Sequence, residues 1–449
     1  MAIFDRLRGK KNAGKAVVLG IDGMPYTLAL NYAERGVMPR LAEVLREGSL
    51  RQMDTSYPEV SSVAWTSFMT GVNPAKHGFF GFLELKPGTY EFFFPDANFV
   101  KSPTLWDIAA KNGKKSVVIN VPSTYPAKPV NGMLVSGFVA LDIHHATYPK
   151  SHVPTLQSMD YRLDVASEKA QHSLDDFVDD VWATLNAREK ALFHYYDNEE
   201  WDLFVGVLTE TDRVQHFLFD AYEDENHKYH AFFLEFYSRV DEIIGKIYER
   251  VGSNTPFFML SDHGFTTIDR EVYLNRWMRE EGYLRLKSAE PRSFDDVEEG
   301  TRALVLDPGR IYIHLKGKYP RGTVEPGEEY ESLRTEIKNK LLAFEVDGKP
   351  AVKQVFYREE IYNGGQYDLG PDMVVLPNWH FDMKGAINRS TVTGNTHFRG
   401  MHTQDDAMFF ANRAVEDDRG NIVDIFPSVL TAMGLEVPDN VDGKNLVTS

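Results

Sequence analysis

Short apolar runs, each four to six residues long, alternate with amphipathic segments along most of this chain. That alternation is typical of buried parallel strands connected by helices. The runs that we predict to be strands are Ala16–Ile21, Ser116–Val121, Leu203–Leu208, Phe257–Leu260 and Met373–Leu376. The pattern therefore predicts an α/β fold with a mostly parallel central sheet and helices on both faces.

Helix ends are marked in several of the intervening segments. Pro39 lies near the start of one such segment and Gly48 lies past its end, which is the expected asymmetry of the two ends of a helix. Ser173, followed three residues later by Asp176, resembles a capping box. The apolar residues of that helix recur at helical spacing, and we interpret the stripe as core packing: Leu174, Phe177, Val178, Val181 and Leu185.

The chain has 449 residues, more than the roughly 250–300 at which a single hydrophobic core stops growing. Region 141–200 is mostly helical, whereas region 273–396 mixes short strands such as Gly309–Leu315, a charged helix over Glu328–Ala343 and glycine-rich turns. We therefore predict three parts: a core formed by 14–272 and 397–449, a helical insertion in it at 141–200, and a small α+β lid at 273–396.

The composition limits what the protein can bind. A net charge of −17 argues against a nucleic acid polymer as partner, because binding to polyanions depends on lysine and arginine. A small phosphorylated metabolite stays compatible with this charge if cations are gathered locally. The chain has no cysteine, so any metal must be held by histidines and carboxylates.

The sequence also predicts neither a secretory signal peptide nor a membrane helix. The N-terminal residues 1–15 are basic but lack the apolar stretch of a signal peptide, and no apolar run approaches the roughly 20 residues of a membrane helix. The lack of cysteine fits a reducing compartment. We expect a soluble cytoplasmic protein with no membrane partner, and the sequence leaves open whether it forms a homo-oligomer.

Acidic and histidine side chains follow three of the predicted strands. Asp22 comes directly after the first, Asp212 and His216 follow the strand Leu203–Leu208, and Asp262 and His263 follow Phe257–Leu260. Because ligand sites in open parallel sheets form beyond the carboxyl ends of the strands, these side chains are candidates for one cluster.

Each of these signals has an ordinary alternative. An aspartate after a strand is commonly a turn or N-cap residue, which applies to Asp22. Asp212 and His216 share a helix face at i,i+4, so they can grip one ion or form a surface pair. Asp262 and His263 would point to opposite faces of a strand, unless Gly264 permits a sharp turn that lets them address two neighbouring ions.

Two metal sites would need one more histidine. Of His397 and His402, we favour His402, because it lies closer to the apolar run AMFF at 407–410. We interpret His77, in a turn-like segment, as structural or solvated, and likewise His144 and His145 in a presumed loop.

Ser61 and Ser62 precede an apolar run that ends at Thr70. If Ser61 begins a helix, it can simply cap that helix. It can also be a nucleophile, because a helix N-terminus favours a phosphate and a divalent cation can activate a bound oxygen. No G-x-S-x-G motif follows a strand, so a nucleophilic role depends on metal activation.

The order of these pieces resembles the alkaline phosphatase superfamily. An Asp after the first strand, a Ser at a helix start, T-G-x-x-P-x-x-H-G at Thr70–Gly78, D-x-x-x-H, D-H-G and a late His occur in sequence. Within that superfamily the chain looks like the type I phosphodiesterase/nucleotide pyrophosphatase branch, over roughly Ala16–Leu446. The stretches VPSTYPAKPVNGMLVSGF, TETDRVQHF and DIFPSVLTAMGLEVPDNVDGKNL are also typical of bacterial and archaeal members.

The resemblance implies an alkaline phosphatase-like core and two metal sites. One divalent ion would be held by Asp22, Asp262, His263 and the nucleophile, and the other by Asp212, His216 and His402. The motif spacing places the nucleophile at Ser61, with Ser62 as second choice. Zinc suits such mixed nitrogen and oxygen ligands best, and manganese or iron would also be compatible.

Two departures from related patterns limit the substrate. Phe82 occupies the position at which the nucleotide pyrophosphatases have an asparagine that contacts phosphoryl oxygens, which puts ordinary nucleotide pyrophosphatase activity in doubt. The sulfatase branch needs a C/S-x-P-x-R context, which the residues after Ser61 lack.

The function that this resemblance implies is hydrolysis of a small, nucleotide-like phosphodiester by two metal ions through a covalent phosphoseryl intermediate. A phosphomonoesterase, a phosphonate hydrolase or a phosphomutase on the same scaffold are the alternatives, and a metal-binding protein without catalysis is a weaker one. The aromatic residues of segment 89–99 could cover a leaving group, but we favour a core role for them.

Overall fold

The computed structural model of the chain describes residues 14–395 and 397–448. Most of the basic N-terminal segment, residues 1–13, lies outside the described residues, as do residues 396 and 449, at which two of the predicted parts end. The helices are α1 (Tyr26–Glu34), α2 (Pro39–Leu45), α3 (Ser61–Thr70), α4 (Pro74–His77), α5 (Leu105–Lys111), α6 (Ile143–Ala146), α7 (Val153–Ser158), α8 (Leu174–Asn198), α9 (Glu210–Leu218), α10 (Asp220–Glu223), α11 (His230–Val251), α12 (Leu274–Glu280), α13 (Glu328–Leu342), α14 (Arg358–Ile361) and α15 (Ile425–Ala432).

The strands are distributed over one large sheet and several small ones. They are β1 (Ala16–Ile21), β2 (Ser49–Asp54), β3 (Glu84–Leu85), β4 (Phe92–Phe93), β5 (Ser116–Val121), β6 (Gly132–Ser136), β7 (Thr147–Tyr148), β8 (Leu203–Leu208), β9 (Phe257–Leu260), β10 (Gly264–Thr267), β11 (Arg270–Tyr273), β12 (Ala303–Leu306), β13 (Arg310–Ile313), β14 (Glu345–Val346), β15 (Lys349–Pro350), β16 (Val352–Tyr357), β17 (Met373–Pro377), β18 (Phe381–Lys384), β19 (Thr393–Gly394), β20 (Gly400–Thr403), β21 (Ala407–Ala411) and β22 (Arg419–Asn421).

The large sheet has nine strands in the order β22-β2-β21-β9-β1-β8-β5-β6-β7. β1 lies in the middle and pairs in parallel with β8 on one side and β9 on the other. β21 is antiparallel to both of its neighbours, and β7 is antiparallel to β6. The predicted mostly parallel sheet is confirmed, and the carboxyl ends of β1, β8 and β9 meet at one edge.

The sheet is covered by helices on both faces, as predicted. Successive residues of β1 are buried on opposite sides: Val17 contributes to one apolar cluster, together with α8 and α11, and Val18 to a second one, together with α3 and α15. This burial on both faces explains why β1 is a continuous apolar run without alternating polar residues. The stripe on α8 that begins at Leu174 packs in the first cluster, and the Ser173 hydroxyl caps this helix by accepting a hydrogen bond from the Asp176 N–H.

One predicted strand belongs elsewhere. The run that we placed in the central sheet, Met373–Leu376, forms most of β17, which lies in a separate four-stranded sheet of order β12-β13-β17-β16. An apolar run of this length shows only that a strand is buried, and it does not show in which sheet. Helix α13, one residue shorter than predicted, packs on this sheet. Together they form the apolar core of the region that we predicted as a lid, which we call the lobe.

A hairpin from the first part of the chain is embedded in this lobe. β3 and β4 pair in antiparallel fashion, and Glu84 in β3 accepts hydrogen bonds from Arg310 Nη1 at 3.0 Å to each carboxylate oxygen. Phe92 in β4 packs edge-on against Phe294 with ring centroids 5.0 Å apart. The aromatic segment 89–99 is therefore divided in its roles, because Tyr90 is buried in the core of the lobe whereas Phe94 is 72% exposed.

Within the described ranges, none of the helices combines the length and the apolar character needed to cross a bilayer.

His77 is buried at the end of α4, in line with a structural role. Its Nδ1 accepts a hydrogen bond from the Phe79 N–H at 3.1 Å, and its Nε2 lies 3.0 Å from Ser67 Oγ. Because Nδ1 is the acceptor in the neutral ring, Nε2 carries the proton and donates a hydrogen bond to the Ser67 hydroxyl oxygen. Burial lowers the pKa of His77 to about 3.

This lowered pKa predicts a contribution to acid sensitivity. The unfolded chain binds a proton at this histidine below pH ~6.5 and the folded protein does not, so the stabilising effect is complete above pH ~6.5 and is lost as the pH falls toward 3. Between pH 8 and pH 5 we expect His77 to account for about 2 kcal/mol of lost unfolding free energy. Urea unfolding of the wild type and of His77→Gln at both pH values measures it. The variant should be less stable than the wild type at pH 8, but its unfolding free energy should fall less between pH 8 and pH 5. Equal losses of unfolding free energy in the two proteins would show that His77 is not the group responsible.

Candidate active site

The predicted metal ligands lie at the edge where β1, β8 and β9 end. Asp22 follows β1 directly, Asp212 is in the first turn of the helix after β8, and Asp262 is two residues beyond β9. Hydrogen bonds tie these ends together. The Gly23 N–H donates to Asp262 Oδ1 at 3.0 Å, and Thr211 Oγ1 donates to the Asp22 carbonyl at 2.6 Å.

A first group of side chains surrounds His263. Its Nε2 lies 3.2 Å from Asp262 Oδ2, 3.8 Å from Asp22 Oδ1 and 3.1 Å from Ser61 Oγ. The Asp22, Asp262 and His263 side chains are at most 3% exposed. Gly264 has no positive φ and begins β10, so the expected sharp turn is not its role. A Cβ at this position would lie 2.7 Å from the Asp406 carbonyl oxygen, so glycine is needed for a close backbone approach.

A second group surrounds one oxygen of Asp212. Oδ1 of this residue lies 3.2 Å from His402 Nε2 and 3.4 Å from His216 Nε2, and the two Nε2 atoms are 3.0 Å apart. The two groups are contiguous, because His263 Nε2 is 3.9 Å from the same Asp212 oxygen. The structure therefore brings the predicted ligands into one cluster, in which His216 and His402 are partly exposed and the other ligands are buried.

Backbone carbonyls orient each imidazole of the cluster. The Nδ1–H of His263 donates to the Gly264 carbonyl at 3.1 Å. The Nδ1–H of His216 donates to the Gly400 carbonyl at 3.2 Å, and that of His402 donates to the Glu59 carbonyl at 2.9 Å. In the neutral rings the proton is thus on Nδ1, and the Nε2 lone pairs face the centre of the cluster. Such carbonyl contacts are the usual partners of metal-binding histidines.

The donor set fits divalent cations. Asp22 Oδ1, Asp212 Oδ1 and Asp262 Oδ2 are buried and accept no hydrogen bond from any described residue. Two ligand atoms that are each about 2.0–2.2 Å from one zinc ion cannot be more than about 4.4 Å apart. The three separations in the second group satisfy this limit, as do the separations from His263 Nε2 in the first group. Facing lone pairs and unpartnered buried carboxylates are unfavourable on their own, and a bound cation would relieve both.

The pKa values of the cluster residues reflect burial and the closeness of three carboxylates. Burial, followed by the neighbouring Asp262 and Asp212 carboxylates, raises the pKa of Asp22 well above its usual value, and burial raises the pKa of Asp262 to about 6. Burial also raises the pKa of Asp212, but the neighbouring His216 and Arg213 more than offset this effect and hold it well below its usual value. Burial lowers the pKa of His216 to about 3, so its ring is neutral and available as a ligand.

Ser61 is the first residue of α3 and does not cap it. Val60 occupies the N-cap position, and no side chain makes a cap hydrogen bond there. The Ser61 hydroxyl instead donates toward His263 Nε2. One turn further along the same helix, Trp65 Nε1 donates to Asp22 Oδ2 at 3.0 Å, so α3 orients both the serine and a predicted ligand.

The second-choice nucleophile has different surroundings. Ser62 Oγ is buried and has no hydrogen-bond partner in the described ranges, so no hydrogen bond links it to the predicted metal ligands.

The other histidines are apart from the cluster. His144 and His145 are exposed, and His397 stacks on Phe217.

A cavity of about 470 Å³ opens beside the cluster and separates it from the lobe. His216, His402 and Glu59 line it on the side of the cluster. Its other walls combine aromatic side chains with charged residues of the lobe: Phe82, Phe92, Phe294, Asp307, Asp382 and Lys384. The volume is within the usual range for a small-molecule site.

Residues 16–405 match the family model named Type I phosphodiesterase / nucleotide pyrophosphatase. The chain belongs to this family. The predicted family and the predicted enzyme class are confirmed: the protein is a metal-dependent hydrolase that acts on phosphoric ester bonds. No curated protein matches the chain significantly in sequence.

Solved structures of other proteins share the fold of this family member. Phosphonoacetate hydrolase from Sinorhizobium meliloti 1021, in complex with phosphonoformate, is 17% identical with a TM-score of 0.62, over 93% of this chain and 95% of that one. Murine ectonucleotide pyrophosphatase/phosphodiesterase 5 (ENPP5) is 16% identical with a TM-score of 0.54, over 95% and 97%. An inactive threonine-to-alanine variant of the murine protein was solved with AMP.

Phe82, which replaces the asparagine expected in the nucleotide pyrophosphatases, lines the cavity of this phosphodiesterase family member. Its ring packs edge-on against Phe138 with centroids 5.2 Å apart, and Phe138 in turn lies under the Arg213 guanidinium at 4.2 Å. A neutral aromatic wall thus stands where a hydrogen-bonding amide was expected.

Three side chains at the site are not among the predicted site residues. Arg213 donates to Asp212 Oδ2, and Asp164 binds Arg213. Arg213 could have been found from the sequence, because it directly follows the predicted ligand Asp212. Asp164 is far from Asp212 in sequence, and its neighbouring residues do not indicate a role at the site. Trp65 looked like an ordinary apolar core residue, and only its indole N–H distinguishes it.

Proposed function

We propose that this protein is a two-metal phosphodiesterase that hydrolyses a small, nucleotide-like phosphodiester through a covalent intermediate on Ser61. The observation that carries the proposal is the 3.1 Å separation between Ser61 Oγ and His263 Nε2, at the first residue of a helix. The same His263 nitrogen lies 3.2 Å from Asp262 Oδ2 and 3.8 Å from Asp22 Oδ1, the unpartnered carboxylate oxygens that would hold a cation. The N-terminal end of the helix also favours the negative charge of a phosphoryl group.

In this proposal one ion is held by Asp22, Asp262, His263 and Ser61, and the other by Asp212, His216 and His402. Mixed nitrogen and oxygen ligands suit zinc best, and manganese or iron would also be compatible. Such ions would polarise the phosphoryl oxygens and activate the attacking hydroxyl and water.

The chain's own residues account for the two steps. Ser61 Oγ gives up its proton and forms a bond to phosphorus while the bond from phosphorus to the leaving oxygen breaks, and that oxygen takes up a proton and departs as an alcohol. In the second step a water oxygen displaces Ser61 Oγ, which regains its proton, and a phosphomonoester is released. The three imidazoles, each fixed by a carbonyl, hold the reacting centre in one geometry through both steps.

The cavity supports a diester in preference to a monoester. A diester carries a second organic group, and a space of about 470 Å³ lined by Phe82, Phe92 and Phe294 can take a nucleobase or another flat group. The AMP complex of murine ENPP5 supports a nucleotide-like substrate in this fold. The net charge of −17 and the absence of cysteine support a small metabolite in the cytoplasm.

Turnover of matched esters tests the substrate class. With zinc present, bis(p-nitrophenyl) phosphate should be hydrolysed with a kcat/KM at least about 10-fold above that of p-nitrophenyl phosphate, because only the diester fills the cavity. Thymidine 5′-p-nitrophenyl phosphate tests the nucleotide-like preference directly. Phosphonoacetate belongs in the same panel, and its turnover in preference to both diesters would favour a phosphonate hydrolase.

The covalent step has its own test. After acid quenching during turnover of the diester, peptide mass spectrometry should find one modification on the peptide that contains Ser61 and Ser62. Its mass should be that of a phosphoryl group that still carries the second organic group of the diester, because only one of the two ester bonds has been broken. Fragmentation should assign it to Ser61. A burst of alcohol release without any phosphorylated peptide would contradict the serine intermediate.

A further inference from the structure

The predicted helical insertion is linked to the cluster by its own Asp164, which binds Arg213 of α9. We propose that Asp164 and Arg213 are positioning residues for the metal ligand Asp212, an inference that rests on the proposed metal role of Asp212. Asp164 lies within the predicted insertion 141–200, whereas Arg213 follows its ligand directly in α9. The insertion is then part of the active-site machinery and more than an addition to the fold.

The Arg213 guanidinium bridges the two carboxylates. Its Nη2 donates to Asp164 Oδ2 at 2.8 Å and its Nε donates to the same oxygen at 3.2 Å, while its Nη1 donates to Asp212 Oδ2. The Phe138 ring lies 4.2 Å from the guanidinium carbon. The Arg213 side chain is only 12% exposed, so solvent screens these contacts weakly.

The bridge decides which Asp212 oxygen is available. Oδ2 accepts the hydrogen bond from Arg213, whereas Oδ1 is buried without a partner in the described part of the chain and faces the His216 and His402 nitrogens. A carboxylate held at one oxygen cannot rotate to offer both. Arg213 therefore presents Oδ1 as a single, fixed ligand atom.

Asp164 is itself held by its surroundings. The neighbouring Leu163 carbonyl accepts a hydrogen bond from Arg188 Nη2 at 3.2 Å, and Arg188 Nε donates to Glu210 at 3.1 Å. The latter pair is fully buried and is a second link between the insertion and α9. The Arg188–Glu210 pair holds the backbone of the insertion, whereas the Asp164–Arg213 pair contacts the predicted ligand Asp212.

Charge and positioning make opposite predictions for Arg213. By charge alone, removal of a cation near the metal site should tighten metal binding. If Arg213 positions Asp212, its removal frees the carboxylate and weakens binding. For Asp164 the two effects agree, because its loss leaves the positive charge of Arg213 without compensation and also frees the guanidinium.

The test is Zn²⁺ binding by the full chain, measured by competition with a chromophoric chelator, alongside thermal melting of the metal-free protein. We expect Asp164→Asn and Arg213→Met each to weaken one of two Zn²⁺ sites by about 10- to 100-fold while the other site is unchanged, since loss of a partner that orients a ligand has this effect. Arg213→Lys keeps the charge but cannot bridge both carboxylates, so its affinity should fall between those of Arg213→Met and the wild type. Excess Zn²⁺ should restore most of the turnover of Asp164→Asn.

A matched control is available in the same insertion. Glu189 in α8 accepts hydrogen bonds from Arg239 Nη2 and from Lys246 Nζ, the latter at 3.1 Å, and no described hydrogen bond links its side chain to Asp164 or to the cluster. Glu189→Gln should lower the melting temperature without changing either Zn²⁺ affinity. If Asp164→Asn binds both ions as the wild type does, or if Arg213→Met binds Zn²⁺ more tightly, the positioning role is refuted. If the wild type itself binds no Zn²⁺, the proposed metal site fails instead. Should Asp164→Asn not fold, Arg213→Lys decides the question.

Discussion

Ser61→Ala should abolish diester hydrolysis and leave the protein folded. Removal of a nucleophile that forms a covalent intermediate typically lowers kcat by about 10⁴-fold or more. Because Ser61 makes no cap hydrogen bond, the usual cost of about 1 kcal/mol for a lost N-cap does not apply. Steady-state kinetics with a p-nitrophenyl diester and thermal melting measure the two effects.

Ser62→Ala is the matched control, because it makes the same change at the next position of the same helix. Its Oγ has no partner in the described ranges, so the variant should retain turnover within a few-fold of the wild type. The assignment of the nucleophile would be refuted if Ser61→Ala kept most of its activity. Loss of activity in Ser62→Ala alone would move the role to Ser62.

Removal of the metal should destabilise the fold strongly. A ligand present at 1,000 times its Kd stabilises the folded state by about 4 kcal/mol, and this site would hold two ions. Treatment with a chelator should therefore lower the melting temperature by several degrees, and added Zn²⁺ should restore it. Melting that does not respond to either treatment would show that the cluster binds no metal.

Asp262→Asn is a more specific test, because the sign of its effect on stability should depend on whether metal is present. Without metal the variant should be more stable than the wild type at pH 8, since it removes repulsion from Asp22 and offers an amide donor to His263 Nε2, which is 3.2 Å from the present Oδ2. With Zn²⁺ present it should be less stable, because a ligand is lost. An effect of the same sign in both states would argue against a shared metal role.

The sequence contained enough information for the sheet and the position of the cluster. β1, β8 and β9 are apolar on both faces, and the polar residues that follow them must lie at one edge once the strands are parallel. The i,i+4 spacing of Asp212 and His216 placed both on one helix face. His402 could be chosen over His397 only through its proximity to a strand, a weaker signal.

The remainder depends on contacts between distant segments. β17 could not be assigned to the smaller sheet, because an apolar run does not identify its partner strands. Asp164 is 48 residues before Asp212, and nothing in its neighbourhood distinguishes it from other surface aspartates. Likewise, Ser61 was expected to cap its helix if it was not a nucleophile, and only the structure shows Val60 at the N-cap.

The position of β21 in the sheet has a consequence for biosynthesis. This strand, Ala407–Ala411, lies between β2 and β9, so a nascent chain cannot join the two portions of the sheet before residue 411 has left the ribosome. His402 is delivered by the same late stretch. A polypeptide terminated before residue 400 therefore lacks both the connecting strand and the last imidazole, and its exposed strand edges make it a target for aggregation or proteolysis.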